Sequence, residues 1–121
     1  MVDYTVMEYL YRDADNFKSF GQILLEGKFD FNDTIKIEYF LESGAFFVAE
    51  QLDIPVLYSE LWEYSNGVTR ADHAFHEFSK FRKASNVDIE RMNPWGTVAD
   101  LFNKLELINH NWDCSLSVCQ V

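Results

Sequence analysis

From Tyr4 to Tyr11 the side chains alternate in character, with Tyr4, Val6 and Glu8 on one side of an extended chain and Thr5, Met7, Tyr9 and Tyr11 on the other. Alternation in a run rich in Tyr and Val predicts a strand with at least one wet edge or face. Phe20 to Leu25 predicts a second strand, in which Phe20, Ile23 and one of Leu24 and Leu25 seek cover. Between them Arg12-Asp13-Ala14-Asp15-Asn16 reads as a turn, because Asp and Asn side chains bond nearby backbone groups. The two strands are therefore expected to pair antiparallel.

The period then changes. Asn32 or Asp33 is placed to cap a helix running to about Ser43, with Gly44 as its stop. Its apolar positions Ile35, Ile37, Phe40 and Leu41 cover more than a narrow stripe, so one side is expected to pack tightly; Tyr39 also falls within its turns. Residues 45–59 predict a loop with short strand or turn pieces, in which Phe46 and Phe47 sit side by side and Pro55 forces Ile54 toward extended geometry. Asn66-Gly67 is the strongest turn signal and predicts a hairpin or meander between Leu61–Tyr64 and the run from His73 to Phe81. A strand is favoured for Ala74 to Phe81 because Trp62, Tyr64 and Val68 need a sheet neighbour; the spacing of Phe75, Phe78 and Phe81 keeps a helix as its rival.

Pro94-Trp95-Gly96-Thr97 opens the clearest helix, expected to reach about Ile108. Thr97 can cap it, Val98, Leu101, Phe102 and Leu105 fall at helical spacing, and Lys104 sits late, where a positive charge suits the helix end. Asn109-His110-Asn111 ends it, and Trp112 is expected to fold back on the core. No linker or repeat divides the chain. The pattern as a whole predicts one α+β domain over residues 1–121: a small, mostly antiparallel sheet with one face covered by helices near 33–43 and 97–108, and a loose tail at 113–121.

Composition sharpens this. Apolar residues are 48% of 121, with 5 Gly and 2 Pro, which excludes a disordered chain, and no apolar run approaches the length needed to span a membrane. The net charge is −10 and uneven, because residues 1–63 carry 13 acids against 4 bases while residues 64–121 carry 7 against 6. Such a protein repels nucleic acid and anionic lipid, and it has no basic stripe to follow a phosphate backbone; neither is expected as a partner. A cationic protein surface is the natural complement. The two cysteines, Cys114 and Cys119, both lie in the tail, and the start shows no export signal, which together fit a reducing cytoplasm.

The densest ionisable cluster is Asp72-His73-Ala74-Phe75-His76-Glu77. On a helix His73 and Glu77 would share a face, as would Asp72 and His76, and a metal could be held with a further ligand. On a strand His73 and His76 point to opposite sides. The spacing is not the His-Glu-x-x-His of metalloproteases, and a His–carboxylate pair satisfying a polar edge is the simpler reading. There is no Gly-x-Ser-x-Gly elbow or phosphate-cradling glycine loop, and carboxylate pairs such as Glu60 and Glu63 carry no weight among 20 acids. Cys114-x4-Cys119 is too wide for a redox pair. No cofactor, resident metal or catalytic residue is assigned. The 20 aromatic residues say more: Tyr9, Tyr11, Phe17, Phe20, Phe46, Phe47, Trp62 and Trp95 exceed what a small core easily encloses, so some are expected to rim a binding patch.

The string Tyr9-Leu10-Tyr11-Arg12-Asp13-Ala14-Asp15-Asn16-Phe17-Lys18, followed by Gly21, resembles the opening of small bacterial proteins of uncharacterised function reading roughly YxYRDAxNYKxxG. Two later blocks are also similar: Phe46 to Leu57 with Glu50-Gln51 and Pro55, and Asp72-His73 with His76-Glu77. This chain has Phe17 where the pattern has Tyr, and Val48-Ala49 where Pro precedes the Glu-Gln pair. The resemblance implies no activity, but it directs attention to a polar set of Arg12, Asp13, Asn16, Lys18, Asp72, His73, His76 and Glu77. Arg12 can hold a carboxylate with its planar fork, so a pair with Asp72 or Glu77 would pin the first strand to the later arm. In the functional alternative, Arg12, Asn16, Lys18, His73 and His76 converge on an anionic or polar ligand.

The function these features favour is an acidic, aromatic-rimmed interaction module that binds another intracellular protein. Its specific form is an inhibitor, including one of a defence-related protein whose site ordinarily receives phosphates. The rivals are a small metal-dependent or acid–base hydrolase using Asp72, His73, His76 and Glu77, and a structural homo-oligomer with its surplus aromatics at the subunit interface.

Overall fold

Strands β1 (Tyr4–Arg12) and β2 (Lys18–Glu26) pair antiparallel over nine residues, from Tyr4 opposite Glu26 to Arg12 opposite Lys18. The structure is a computed structural model, and it describes residues 3–61 and 73–117. After the hairpin come α1 (Phe31–Phe40), the short strand β3 (Phe46–Val48), a 3₁₀ turn at Ala49–Leu52 and the single turn α2 (Tyr58–Leu61). The chain continues with β4 (Phe75–Lys83), α3 (Asn86–Arg91), β5 (Pro94–Thr97) and α4 (Val98–Ile108), and a last 3₁₀ turn at Cys114–Leu116. The strands form one sheet in the order β3-β4-β1-β2-β5. All neighbours are antiparallel except β2 and β5, which run parallel. The molecule is thus α+β, with a mixed, mostly antiparallel sheet packed against helices.

Strand alternation sorts the side chains. Met7, Tyr9 and Tyr11 of β1, Ile23 and Leu25 of β2, Phe47 of β3 and Phe81 of β4 face Ile37 and Phe40 of α1 and Leu101, Phe102 and Leu105 of α4. Each such side chain taken from water contributes about 1.5–3 kcal/mol. Leu52, Ile54 and Leu57 close the core from the connecting segment, which the Tyr9 hydroxyl anchors by donating to the Pro55 carbonyl at 2.6 Å. Trp112 folds back as expected, and its indole N–H donates to the Phe40 carbonyl at 3.2 Å.

Several expectations need correction. The first long helix spans 31–40, not 33–43, because Asp30 is its cap: Asp30 and Asp33 exchange side-chain-to-backbone bonds of 2.9 Å in each direction. Ile35, read as a packing position of that helix, is exposed. Phe20 does not seek cover and is 71% exposed, because strand parity places it opposite Leu10 on the sheet face away from α1 and α4. Pro94–Thr97 does not begin the last helix. It forms β5, while Thr97 caps α4 through reciprocal bonds with Asp100 of 2.9 and 3.0 Å. Lys104 is bonded to Asp53 at 2.6 Å instead of serving the helix end. The run from Ala74 to Phe81 forms a strand, as favoured, with bounds Phe75–Lys83. The Asn66-Gly67 turn, with Trp62, Tyr64 and Val68, lies outside the described residues, as do Glu63, Asp72, Cys119 and the Glu60 side chain.

The crossing segment that carries α3 bonds to the second face of the sheet. Arg82 of β4 reaches Glu8 at 2.6 Å, Asp88 of α3 at 2.7 Å and Gln22 at 2.8 Å. Val6 and Leu24, which share this face, are fully buried at that end. The other end of the same face, around Leu10 and Phe20, carries no helix among the described residues.

Candidate functional site

The polar set read from the sequence gathers at the far end of the β1–β2 hairpin. Asp13 closes the turn: its carboxylate accepts the N–H groups of Asp15 and Phe17, each at 2.9 Å, and its own N–H donates to the Phe17 carbonyl at 3.0 Å. Asn16 occupies the left-handed region with φ of 67°, a conformation Asn tolerates better than most residues. From that position its side-chain oxygen accepts the Arg12 guanidinium at 2.8 Å. The same guanidinium donates through Nε to Glu77 at 3.0 Å, pinning β1 to β4. Lys18 is the cross-strand neighbour of Arg12 and is exposed.

His73 joins this end through the backbone. Its N–H donates to the Tyr11 hydroxyl at 3.1 Å, and its Nδ1 accepts the Phe75 N–H at 3.2 Å. The proton therefore sits on Nε2, which donates to the Arg12 carbonyl at 2.7 Å. Arg12, Asp13, Asn16, His73 and Glu77 are thus brought together, and the pairing of Arg12 with Glu77 follows one of the two arrangements expected. Asp72 lies outside the described residues.

His76 does not belong to that cluster. Strand parity turns it into the core, where it is fully buried and ringed by Tyr9, Tyr11, Phe47 and Tyr58 at centroid distances of 5.3–6.2 Å. Its Nε2 accepts the Leu57 N–H at 3.0 Å, so the proton is on Nδ1 and donates to the Ala74 carbonyl at 3.3 Å. Burial dominates its titration and pushes the pKa down to about 4; the bond to Ala74 and the charge of Glu50 act the other way, and His73 adds to the lowering. His76 is a neutral structural side chain at ordinary pH.

This geometry bears directly on chemistry. A ligating imidazole offers a nitrogen lone pair, and in both histidines that lone pair is committed to a backbone N–H. Among the described residues, no group of three or more His, Cys, Asp or Glu is placed to hold a metal ion. Arg12 is held by Glu77 and Asn16, so convergence of Arg12, Asn16, Lys18, His73 and His76 on one ligand is not what the geometry gives. Glu50 accepts the Tyr58 hydroxyl at 2.6 Å through one oxygen, and its other oxygen is buried with no hydrogen-bond partner among the described residues. Burial first, then the charges of Asp113, Glu42 and Glu50, push the Cys114 thiol pKa up, away from reactivity. Among the described residues no helix is long and apolar enough to cross a membrane.

The exposed rings are only partly those expected. Tyr9, Tyr11 and Phe47 are sealed in the core and Phe46 and Trp95 are half-buried, while Phe17 and Phe20 stay exposed. Trp62 lies outside the described residues. The larger exposed stripe is on α1, where Phe31, Ile35 and Tyr39 are 78%, 53% and 68% exposed. Their i, i+4, i+8 spacing lines them along one side, while Ile37 and Phe40 take the other into the core. Exposed Glu38 and Glu42 lie beside the stripe, and the one lysine of α1, Lys36, is paired with Glu106 at 3.7 Å. The sequence signal was a helix with more apolar positions than one buried face needs; what it concealed was that the surplus points outward.

Comparison with family models, with curated proteins and with solved structures finds no match to this chain.

Proposed function

We propose that this chain is an acidic protein-binding module, with no reaction chemistry of its own, that docks α1 against a cationic surface of another protein. One observation carries the reading: three large apolar side chains stand in a row on the solvent side of α1, beside the carboxylates of Glu38 and Glu42. Exposed rows of this kind on a small protein mark interaction surfaces, since leaving Phe31, Ile35 and Tyr39 in water forgoes about 1.5–3 kcal/mol each. The charge defines the partner. With a net charge of −10, the chain is drawn to a basic protein, and an apolar groove rimmed by Lys or Arg matches the α1 face in both respects. Inhibition follows where that cationic groove is itself a site for phosphates or another acidic ligand.

The test is an NMR titration of the full chain with an amphipathic helical peptide carrying Leu on one side and Lys and Arg on the other. Shifts concentrated at residues 31, 35, 38, 39 and 42, fading as salt is raised and lost in an Ile35→Ser, Tyr39→Ser double variant, are the expected result. Absence of shifts, or shifts spread evenly over the acidic surface and unaffected by the double variant, overturns the reading. Both substituted side chains are exposed, so the fold survives the change.

A further inference from the structure

The sheet face turned away from α1 and α4 carries a second surface, different in character. Register places Glu8, Leu10 and Arg12 of β1, Lys18, Phe20 and Gln22 of β2, and Glu77, Lys80 and Arg82 of β4 on this one face. Among the described residues, four of the chain's 10 cations stand there, against the carboxylates of Glu8 and Glu77 and that of Asp88 from α3. In a protein of net charge −10 this face is close to neutral, and here a second copy can approach without the repulsion that Glu38 and Glu42 impose at α1.

The relief of this face is uneven as well. Phe20 projects from the end of the face that no helix among the described residues covers, and beside it lies a hollow of about 350 Å³ lined by Glu8, Tyr9, Phe20, Gly21, Gln22 and Ser79. A protruding ring and a recess on the same patch are what an isologous contact requires: a two-fold axis passing between them seats each Phe20 in the hollow of the other chain. The bulge of β4, where the register shifts opposite Glu8 and Tyr9, lies at Ser79 and opens that recess.

We propose that the chain forms a two-fold dimer through this sheet face, with the exposed Phe20 as its central contact. The consequence for binding is geometric. Because α1 lies on the opposite face of the sheet, the dimer turns two α1 stripes outward on opposite sides, and the protein is bivalent toward a partner with repeated sites.

Sedimentation equilibrium on the full chain tests this, and it reads mass alone, so it fails or succeeds independently of what α1 binds. The wild-type mass is expected to rise from 14.2 kDa toward twice that value between micromolar and hundred-micromolar concentration. Phe20→Glu and the uncharged Phe20→Ser each weaken association by at least about tenfold while leaving circular dichroism, and the melting temperature measured at the lowest, monomeric concentration, unchanged. The Ile35→Ser, Tyr39→Ser variant dimerises like wild type. A wild-type chain that stays at monomer mass throughout, Phe20 variants that associate normally, or a dimer dissolved only by the α1 substitutions overturns the proposal.

Discussion

Leu57 donates its backbone N–H to Nε2 of His76 across 3.0 Å inside the core, making an imidazole the acceptor that completes a loop. The arrangement works only while the ring is neutral, since a protonated imidazole has no lone pair left to accept with. A folded pKa of about 4 against the usual 6.5 means the unfolded chain binds the extra proton first as pH falls. Stability from this group is full above about pH 6.5, declines as pH drops toward 4, and changes no further below that. The loss is on the order of 3 kcal/mol. Urea midpoints at pH 7 and pH 4.5 measure it. His76→Gln, which can still accept from Leu57 but does not titrate, should remove most of the difference. An equal acid-induced loss in both proteins would refute the assignment.

Arg12 and Glu77 tie the hairpin end to β4, but the Arg12 side chain is 40% exposed, so solvent screens much of the attraction. Arg12→Ala and Glu77→Ala are each expected to cost less than about 1 kcal/mol. Because the two share one bond, the double variant should cost less than the sum. Chemical denaturation of the four proteins in the cycle gives the coupling. A coupling of zero would mean that the pair is a passive surface contact.

How far such features could be read beforehand depends on how local their causes are. The alternation of Tyr4 to Tyr11 and the Thr97 cap rest on neighbouring residues, and they were legible; the return of Trp112 to distant Phe40 was legible only as an apolar side chain needing cover. Phe20 was misread because apolar was equated with inside. At that end of β2 the core side is instead taken by Ser19 and Gly21, small residues opposite the bulky Tyr11 and Tyr9. β5 was hidden because a four-residue strand opening with Pro gains its identity only from distant β2. α3 has no buried residue and so shows no apolar period, although its Ser85-x-x-Asp88 capping box was in the sequence to be seen. The polar cluster was legible as the densest run of ionisable residues, but which histidine entered it was decided by the three-dimensional structure: His73 stayed at the hairpin end and strand parity took His76 inside.

Gly21 marks where α2 and its approach press on the sheet. A Cβ there would lie 2.8 Å from Leu57 Cδ2 and 3.1 Å from Tyr9 Cζ, and both side chains are buried with little room to retreat. Gly21→Ala should therefore cost about 1–3 kcal/mol through overpacking, the opposite of what strand propensity alone suggests. Leu57→Val should be partly compensating in that background, because it withdraws the clashing methyl. Thermal melts of the single and double variants decide it: additive losses would locate the strain elsewhere.

Arg82 supplies the last prediction, since its fork joins three elements at once. Nε meets Glu8 at 2.6 Å, Nη1 meets Asp88 at 2.7 Å and Nη2 meets Gln22 at 2.8 Å, so one side chain spans β4, β1, β2 and the cap of α3. The guanidinium holds the Asp88 carboxyl well below the usual carboxylate range, helped by the Ser85 N–H, and Asp88 and Glu8 raise the Arg82 pKa in return. Lysine keeps the charge but has no planar fork, so it can serve only part of this set. Arg82→Lys is expected to lose about 1.5–3 kcal/mol, the scale of hydrogen bonds to charged groups, and Arg82→Ala at least as much. Hydrogen exchange then separates the network from a generic surface effect. In Arg82→Lys, amides of residues 86–91 should exchange faster before those of the β1–β2 hairpin do, because α3 has no buried side chain and depends on this anchor. Uniform acceleration across the sheet would instead show that Arg82 stabilises the whole domain without holding α3 in particular.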